Sequence, residues 1–300
     1  MKHKIFKNTA RAALYVFLFA LSVIFLYPFL YMLVNSLKTN EDLNNFTVVW
    51  LPRTLHFANY KMAVQIMDYF AKLKNSLIIT VVATLGQLIS CSMAGYSLAR
   101  YNFRGKRFMS VMVILAMLVP VQTIIVPQYL LYSNLGWLNT YFPLTVPAFF
   151  GYGFKGALYI FIFRQFFLGM PRELEEASRV DGCGFIRTYI YIIFPTARAP
   201  YLITMVLAIV WHWSNYFEPG MYLSDPSMLM VSQGLKSLST VLTLSTEALE
   251  NTYSITDENA LNNAVLMAAT FMVVAPLIVM FAFLQRKFVQ SIERTGLTGE

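Results

Sequence analysis

The segment 171–200 concentrates carboxylates, glycine and small side chains between two apolar stretches. It reads PRELEEASRVDGCGFIRTYIYIIFPTARAP. Acidic side chains at its start complement the positive end of a helix dipole, and Gly182 suits the left-handed turn that ends a helix. Leu174, Ala177 and Ser178 lie at i, i+3 and i+4 and form a narrow stripe. The pattern predicts a helix of about ten residues whose stripe can dock in a groove.

A second helix is expected to follow the glycine turn. This helix is predicted from about Phe185 to Ile193, because Phe185, Tyr189 and either Ile192 or Ile193 have helical spacing. Pro195 should stop the hydrogen-bond ladder, because proline has no N–H to donate. The segment is therefore a predicted helix, glycine turn and helix.

Catalytic motifs are missing from the sequence. It contains no G-x-x-x-x-G-K-[ST], so the chain does not hold ATP on a phosphate loop of that kind, and any ATPase is a separate chain. It also lacks H-E-x-x-H and G-x-S-x-G, and its three histidines are scattered, which disfavours a membrane-embedded enzyme. We therefore expect no catalytic residue and no metal site.

The composition indicates a chain solvated by lipid. Hydrophobic residues make up 57% and charged residues 13%, far from the balance of a soluble domain. Six stretches are each apolar and long enough to span a bilayer as a helix, near 12–34, 76–98, 108–132, 143–168, 200–222 and 262–284. Prolines within them predict kinked helices, at Pro28, Pro120, Pro127, Pro147, Pro219 and Pro276. We predict an all-α integral membrane protein with a single transmembrane domain over residues 1–300.

The basic residues predict the orientation. The net charge of +8 comes from side chains that flank apolar stretches, so it is a topology signal and does not point to nucleic acid. Clusters of Lys and Arg precede the first span and follow the second, fourth and sixth, whereas the segments 38–74 and 224–261 are acidic or mixed. By the positive-inside rule both termini and the segment 171–200 are cytoplasmic.

The segment 171–200 resembles the EAA loop of binding-protein-dependent ABC importer permeases. That loop has E-A-A, three residues, G, nine residues and I-x-L-P, and this chain has Glu176-Ala177-Ser178, Asp181-Gly182 and Ile192-x-Phe194-Pro195 at the same spacing. Ser178 and Phe194 depart from the pattern. The resemblance implies a type I ABC importer permease architecture in which the loop is a coupling helix inserted into the ATPase. The residues it assigns to this coupling are Glu176, Ala177, Ser178, Asp181, Gly182 and Pro195.

Other segments resemble the carbohydrate branch of that family, in its second, six-span permease. They are Trp213–Pro219, similar to W-N-x-F-x-x-P, Asn75-Ser76-Leu77, similar to N-S-L, and Leu284–Gln290, similar to L-Q-R-x-F-V. The resemblance implies a heterodimer with a homologous permease, two ATPase subunits that bind ATP and Mg, and an extracytoplasmic solute-binding protein. The chain itself would bind no cofactor and would lie in lipid in a bacterial or archaeal cytoplasmic membrane.

Few polar residues lie inside the apolar stretches, and these are the predicted substrate path: Gln87, Gln122, Asn215, Tyr216 and Glu218. Sugars need hydrogen-bonding groups and aromatic faces in a wet cavity. The expected substrate is a carbohydrate, specifically an oligosaccharide, and a polyol or glycerol-phosphate ester is the alternative within the same class. A secondary transporter is the alternative from another class, but the spans offer little that could couple to an ion.

Overall fold

Helices follow the apolar stretches of the chain. The computed structural model describes residues 2–45, 47–48, 50–153, 155–250 and 262–296, and this part contains no strand. The predicted all-α class is confirmed. The helices are α1 Lys2–Ser36, α2 Asn40–Asn44, α3 Ala58–Met67, α4 Tyr69–Arg100, α5 Lys106–Leu118, α6 Val121–Asn134, α7 Phe142–Thr145, α8 Gly156–Gly169, α9 Glu173–Val180, α10 Phe185–Thr188, α11 Phe194–Thr196, α12 Arg198–Ser214, α13 Phe217–Tyr222, α14 Val231–Glu250 and α15 Asn263–Gly296.

Apolar helices overlap all six predicted stretches. Within the described residues, three helices are long and apolar enough to cross a membrane: Arg11–Ser36, Tyr69–Arg100 and Asn263–Arg286. Two bent pairs also qualify when each is joined: Lys106–Leu118 with Val121–Asn134, and Phe185–Thr196 with Arg198–Ser214. The shorter apolar helix Gly156–Gly169 overlaps the fourth stretch. The number of spans stays a prediction, because these helices qualify by length and composition alone.

The third stretch, predicted as one helix over 108–132, is broken at Pro120. Val119 is extended, with ψ 116°, as a residue before proline tends to be, and α5 and α6 meet at a bend of 102°. Pro28, Pro127 and Pro276 instead lie inside continuous helices. Proline position therefore marks a break at only one of these four sites.

The fourth and fifth stretches are also less regular than predicted. In the fourth, a 3₁₀ turn over Val146–Phe150 and the left-handed Gly151, with φ 70°, interrupt the predicted helix. Only the part over Gly156–Gly169 is an α-helix of several turns. In the fifth, α12 ends at Ser214, and Asn215 is extended with ψ 120°. The expected helix to residue 222 is therefore two helices.

The chain divides into two units. The first comprises Met1–Tyr69 and Gly234–Pro276, and the second comprises Phe70–Gln233 and Leu277–Glu300. Within the first, the Asn59 amide donates to the Ser36 carbonyl at 2.9 Å, which ties α3 to the end of α1.

The core of the second unit is aromatic and lies where α4, α8 and the segment 185–196 pack together. Tyr96, Tyr159, Phe163 and Phe167 are fully buried there. A Cβ on Gly95 would lie 2.7 Å from the Phe163 Cβ, so glycine at this position lets α4 and α8 approach closely. This core supports the segment 171–200.

Candidate functional site

Local sequence accounts for the helix α9 and its sharp end. The first turn of α9 is acidic and its last turn contains Arg179, so both ends complement the helix dipole. Gly182 has φ 73°. Its N–H donates to the Arg179 carbonyl at 3.0 Å, and the Cys183 N–H donates to the Ser178 carbonyl at 2.9 Å. This pair of bonds is the Schellman ending that glycine favours, and the predicted glycine turn is confirmed.

The inner side of α9 is held by a buried ion pair. Glu175 and Arg100 are 9% and 4% exposed in their side chains, and Arg100 Nε donates to Glu175 Oε1 at 2.7 Å. Arg100 Nη2 donates to the Met170 carbonyl at 2.7 Å and the Pro171 carbonyl at 2.9 Å. The guanidinium at the end of α4 therefore bonds both to the residues that directly follow α8 and to α9.

Ser178 also lies on this inner side. It is 1% exposed, and its hydroxyl donates to the Glu175 carbonyl at 2.8 Å and lies 3.0 Å from the Thr188 hydroxyl. Leu174 is half-buried against the aromatic core. The predicted docking stripe of Leu174, Ala177 and Ser178 is therefore wrong as a single outward face, because two of its three members hold α9 to its own chain.

The outer side of α9 and the turn after it carry four of the other five predicted coupling residues. Glu176, Ala177, Asp181 and Gly182 are exposed, and Val180 is 87% exposed. This docking face, defined by Glu176, Ala177, Val180 and Asp181, places a small and an apolar side chain between carboxylates. Such a surface suits a groove with an apolar floor and a basic rim.

The second helix of the segment packs inward through aromatic rings. Phe185 and Tyr189 lie with their ring centroids 5.7 Å and 5.5 Å from that of Tyr96. The Tyr189 hydroxyl lies 2.5 Å from both the Ser92 and Tyr201 hydroxyls. These contacts fix the platform from which α9 projects.

The helix does not stop at Pro195 as predicted. A π-helical turn over Tyr189–Ile193 has the Phe194 N–H bonded to the Tyr189 carbonyl, and α11 carries the chain on through Pro195 to Thr196. A wider turn accommodates a residue without an N–H, because the ladder is already shifted there. The chain then bends by 79° into α12.

Two of the five predicted substrate-path residues meet in one pocket. The Asn215 amide donates to Glu218 Oε2 at 2.7 Å, and the Asn215 Oδ1 accepts from the Phe217 N–H at 3.2 Å. Asn215 and Glu218 are 9% and 7% exposed. The residues that line this pocket are Gln128, Tyr132, Pro143, Leu144, Tyr152, Gly153, His212, Asn215, Glu218 and Tyr222.

The pocket has a volume of about 20 Å³, which is enough for a water molecule and far too small for a sugar ring. Gln128 was not predicted to take part, yet its amide donates to the Tyr152 hydroxyl and its Oε1 accepts from the Tyr222 hydroxyl at 3.2 Å. A polar side chain directly after Pro127 in an apolar helix is the signal that could have identified it.

The other three predicted path residues lie elsewhere. Gln87 is fully buried, and its Oε1 lies 2.9 Å from His212 Nε2. Gln122 and Tyr216 are exposed. Gln87 therefore contacts the pocket lining through His212, whereas Gln122 and Tyr216 are not among the residues that line the pocket.

The chain is similar to known transport proteins. Residues 86–294 match the family described as binding-protein-dependent transport system inner membrane component. The chain is 26% identical over 302 residues to the arabinooligosaccharides transport system permease protein AraQ of Bacillus subtilis, which covers 100% of both chains. It is 26% identical over 280 residues to the sn-glycerol-3-phosphate transport system permease protein UgpE of Brucella suis, covering 91% of this chain and 92% of UgpE.

A solved structure shares the fold. It is a bacterial ABC transporter involved in the import of the acidic polysaccharide alginate, with a TM-score of 0.74 and 22% sequence identity. The match covers 95% of this chain and 97% of that chain.

Proposed function

The chain belongs to the family of binding-protein-dependent transport system inner membrane components, and we propose that it is the permease subunit of an ATP-driven importer for an oligosaccharide. The observation that carries this function is the helix α9 with its glycine ending and exposed docking face, at the position of the family's coupling loop. A rigid short helix that is held from behind by Arg100 can transmit force, because it cannot turn without moving α4 and α8. The chain supplies the membrane path, and ATP is hydrolysed by a partner.

The partners follow from the family and its docking face. Importers of this kind need an ATPase and a substrate-binding protein. The finer assembly proposed is a heterodimer with a homologous permease, two ATPase subunits carrying ATP and Mg, and an extracytoplasmic binding protein. In this arrangement both termini and α9 face the cytoplasm, which the distribution of Lys and Arg supports. Glu176, Ala177, Asp181 and Gly182 act at the ATPase contact, and Ser178 and Pro195 shape the loop behind it.

The substrate is proposed to pass the side chains around Asn215 and Glu218, which must separate for it, because the pocket between them has room only for a water molecule in this structure. Gln87, Gln122 and Tyr216 are proposed to lie along the rest of the path. The name of AraQ, a permease for arabinooligosaccharides, supports an oligosaccharide, whereas the name of UgpE, a permease for sn-glycerol-3-phosphate, makes a phosphate ester the second candidate. Among the described residues, the lining of the pocket includes the Glu218 carboxyl and no Lys or Arg. A phosphate ester is usually held by a cation, so this lining favours a neutral sugar.

The coupling role is tested by Glu176→Ala combined with Gly182→Pro. Proline has φ near −65°, which the native φ of 73° at Gly182 excludes. We expect normal insertion and loss of ATP-driven uptake. The matched control is Gly136→Pro, because Gly136 has φ 66° and its N–H also bonds at 3.0 Å to a carbonyl three residues earlier. Normal uptake by the double variant contradicts the coupling role, as does an equal loss in the control.

Uptake competition separates the two substrates. Membrane vesicles that contain the whole importer are loaded with ATP and challenged with excess neutral oligosaccharide or glycerol 3-phosphate. The expected result is that only the oligosaccharide inhibits ATP-driven uptake of the importer's substrate. Inhibition of this uptake by glycerol 3-phosphate alone would establish the second candidate.

A further inference from the structure

Helix α4 is continuous over its 32 residues, from Tyr69 to Arg100, and contains no proline. At 1.5 Å per residue, the distance along the axis from Asn75 to Arg100 is roughly 38 Å, more than the thickness of a hydrocarbon core. A continuous helix of this length joins the two faces of a membrane without an intervening hinge. What it bonds to at each end determines what it can connect.

The end at Arg100 is bonded to the docking helix. The guanidinium donates to the Glu175 carboxylate and to the Met170 and Pro171 carbonyls, at 2.7 to 2.9 Å. Separating a buried ion pair would leave both charges without their partners, which is strongly unfavourable. A force on α9 is therefore delivered to α4 rather than absorbed between them.

The end at Asn75 is bonded to a second segment, 227–231. The Asn75 amide donates to the Ser227 carbonyl at 2.8 Å and the Leu229 carbonyl at 3.0 Å. The Val231 N–H donates to the Ser76 hydroxyl oxygen at 2.9 Å. Asn75 and Ser76 are 5% and 0% exposed, so water does not replace these bonds readily.

Further contacts make the segment 227–231 follow this end of α4. The Tyr141 hydroxyl donates to Asn75 Oδ1 at 2.7 Å, and Ile79 packs in a buried cluster with Leu223 and Met230. Just before the segment, the Ser227 N–H holds the pKa of the Asp225 carboxyl below its usual value and orders the turn. The segment is thus a structured attachment and not a free loop.

We propose that α4 is a two-ended rigid link, which joins the docking face of α9 through Arg100 and Glu175 to the segment 227–231 through Asn75 and Ser76. Given the proposed function, on which this inference rests, the first end faces the ATPase and the second faces the solute-binding protein. Asn75 and Arg100 are positioning residues. Engagement of the binding protein at 227–231 therefore changes the ATPase through the same helix, because α4 is bonded at both of its ends.

The test uses the complete importer in lipid nanodiscs, with this chain, its partner permease, the ATPase subunits and the binding protein. ATP hydrolysis is measured with and without the binding protein. The variants are Asn75→Leu, Arg100→Gln and the two combined. The control is Thr84→Val, because the Thr84 hydroxyl is buried in α4 and has no hydrogen-bond partner in the described part of the chain.

We expect Asn75→Leu to retain its subunits and its basal ATP hydrolysis, and its stimulation by the binding protein to fall at least about fivefold. In Arg100→Gln the stimulation, measured relative to the basal rate of that variant, should fall to a similar extent. The combined variant should lose no more than the worse single variant, since either break disconnects one link. The control should be stimulated normally. A merely structural role for Asn75 would lower basal and stimulated rates together and would not give this split.

Three results would overturn the link. They are normal stimulation in Asn75→Leu, losses that multiply in the combined variant, and an equal loss in the control. Should Arg100→Gln fail to assemble, Asn75→Leu decides alone, by reduced or unchanged stimulation at intact basal rate. Failure of the proposed function has a different signature, because the unmodified complex would then show no stimulation by the binding protein.

Discussion

Val180 is a highly exposed apolar side chain of α9, and Val180→Ser should weaken binding of the ATPase. The side chain is 87% exposed in this chain, so nearly all of its apolar surface is available to a partner. Full burial of a valine contributes about 1.5–3 kcal/mol, so the loss should be about 1.5–2.5 kcal/mol. That corresponds to a dissociation constant raised about 10- to 70-fold. Serine has a helix propensity close to that of valine, so α9 itself should persist.

The assay is direct binding of the purified ATPase subunit to nanodiscs that contain both permeases. The control is Leu51→Ser, because Leu51 is 82% exposed but lies in the segment predicted to face away from the cytoplasm. An unchanged dissociation constant for Val180→Ser would refute the assignment of the docking face. An equal loss in Leu51→Ser would show that the change in affinity is not local to α9.

Other perturbations test the packing and the orientation. Gly95→Ala should lower the melting temperature in detergent, because its Cβ would lie 2.9 Å from the Arg164 backbone nitrogen, and such overpacking costs about 1–3 kcal/mol. Gly220→Ala, which meets open space in α13, should not lower it, and equal melting of the two variants would contradict this packing. In vesicles stripped of the ATPase, a membrane-impermeant maleimide should label the half-buried Cys183 in inside-out but not right-side-out preparations, while the buried Cys91 stays unlabelled. Labelling of Cys183 only in right-side-out vesicles would reverse the predicted orientation.

The two helices of the segment 171–200 and the glycine turn between them were predictable because their signals are local. Acidic residues at the start of α9 and Gly182 at its end act on the backbone within one or two turns. The same is true of the apolar stretches, whose length and composition are read directly from the chain.

Which side of α9 faces outward was not predictable. A stripe at i, i+3 and i+4 on a helix of 8 residues indicates a face but not what the face meets. Glu175 would be placed outward by its charge alone. It lies inward because Arg100, 75 residues away in sequence, supplies the opposite charge.

The positions at which the predicted spans are broken also could not be read from residue type alone, because they depend on contacts within the folded chain. Pro120 lies at the break between α5 and α6, yet Pro127, in the same predicted stretch, lies inside a continuous helix. At Asn215 the break has no proline, and the side chain instead accepts backbone N–H groups that begin α13. The pocket around Glu218 could not be assembled from sequence, because Gln128 and Tyr222 come from separate helices.

The most direct test of the permease assignment is affinity purification of this chain from its native membrane in mild detergent, with mass spectrometry of the proteins that accompany it. We predict a second, homologous permease and an ATPase with a G-x-x-x-x-G-K-[ST] motif, and loss of the ATPase alone when Glu176→Ala and Gly182→Pro are combined. A chain that purifies without any ATPase would contradict the account.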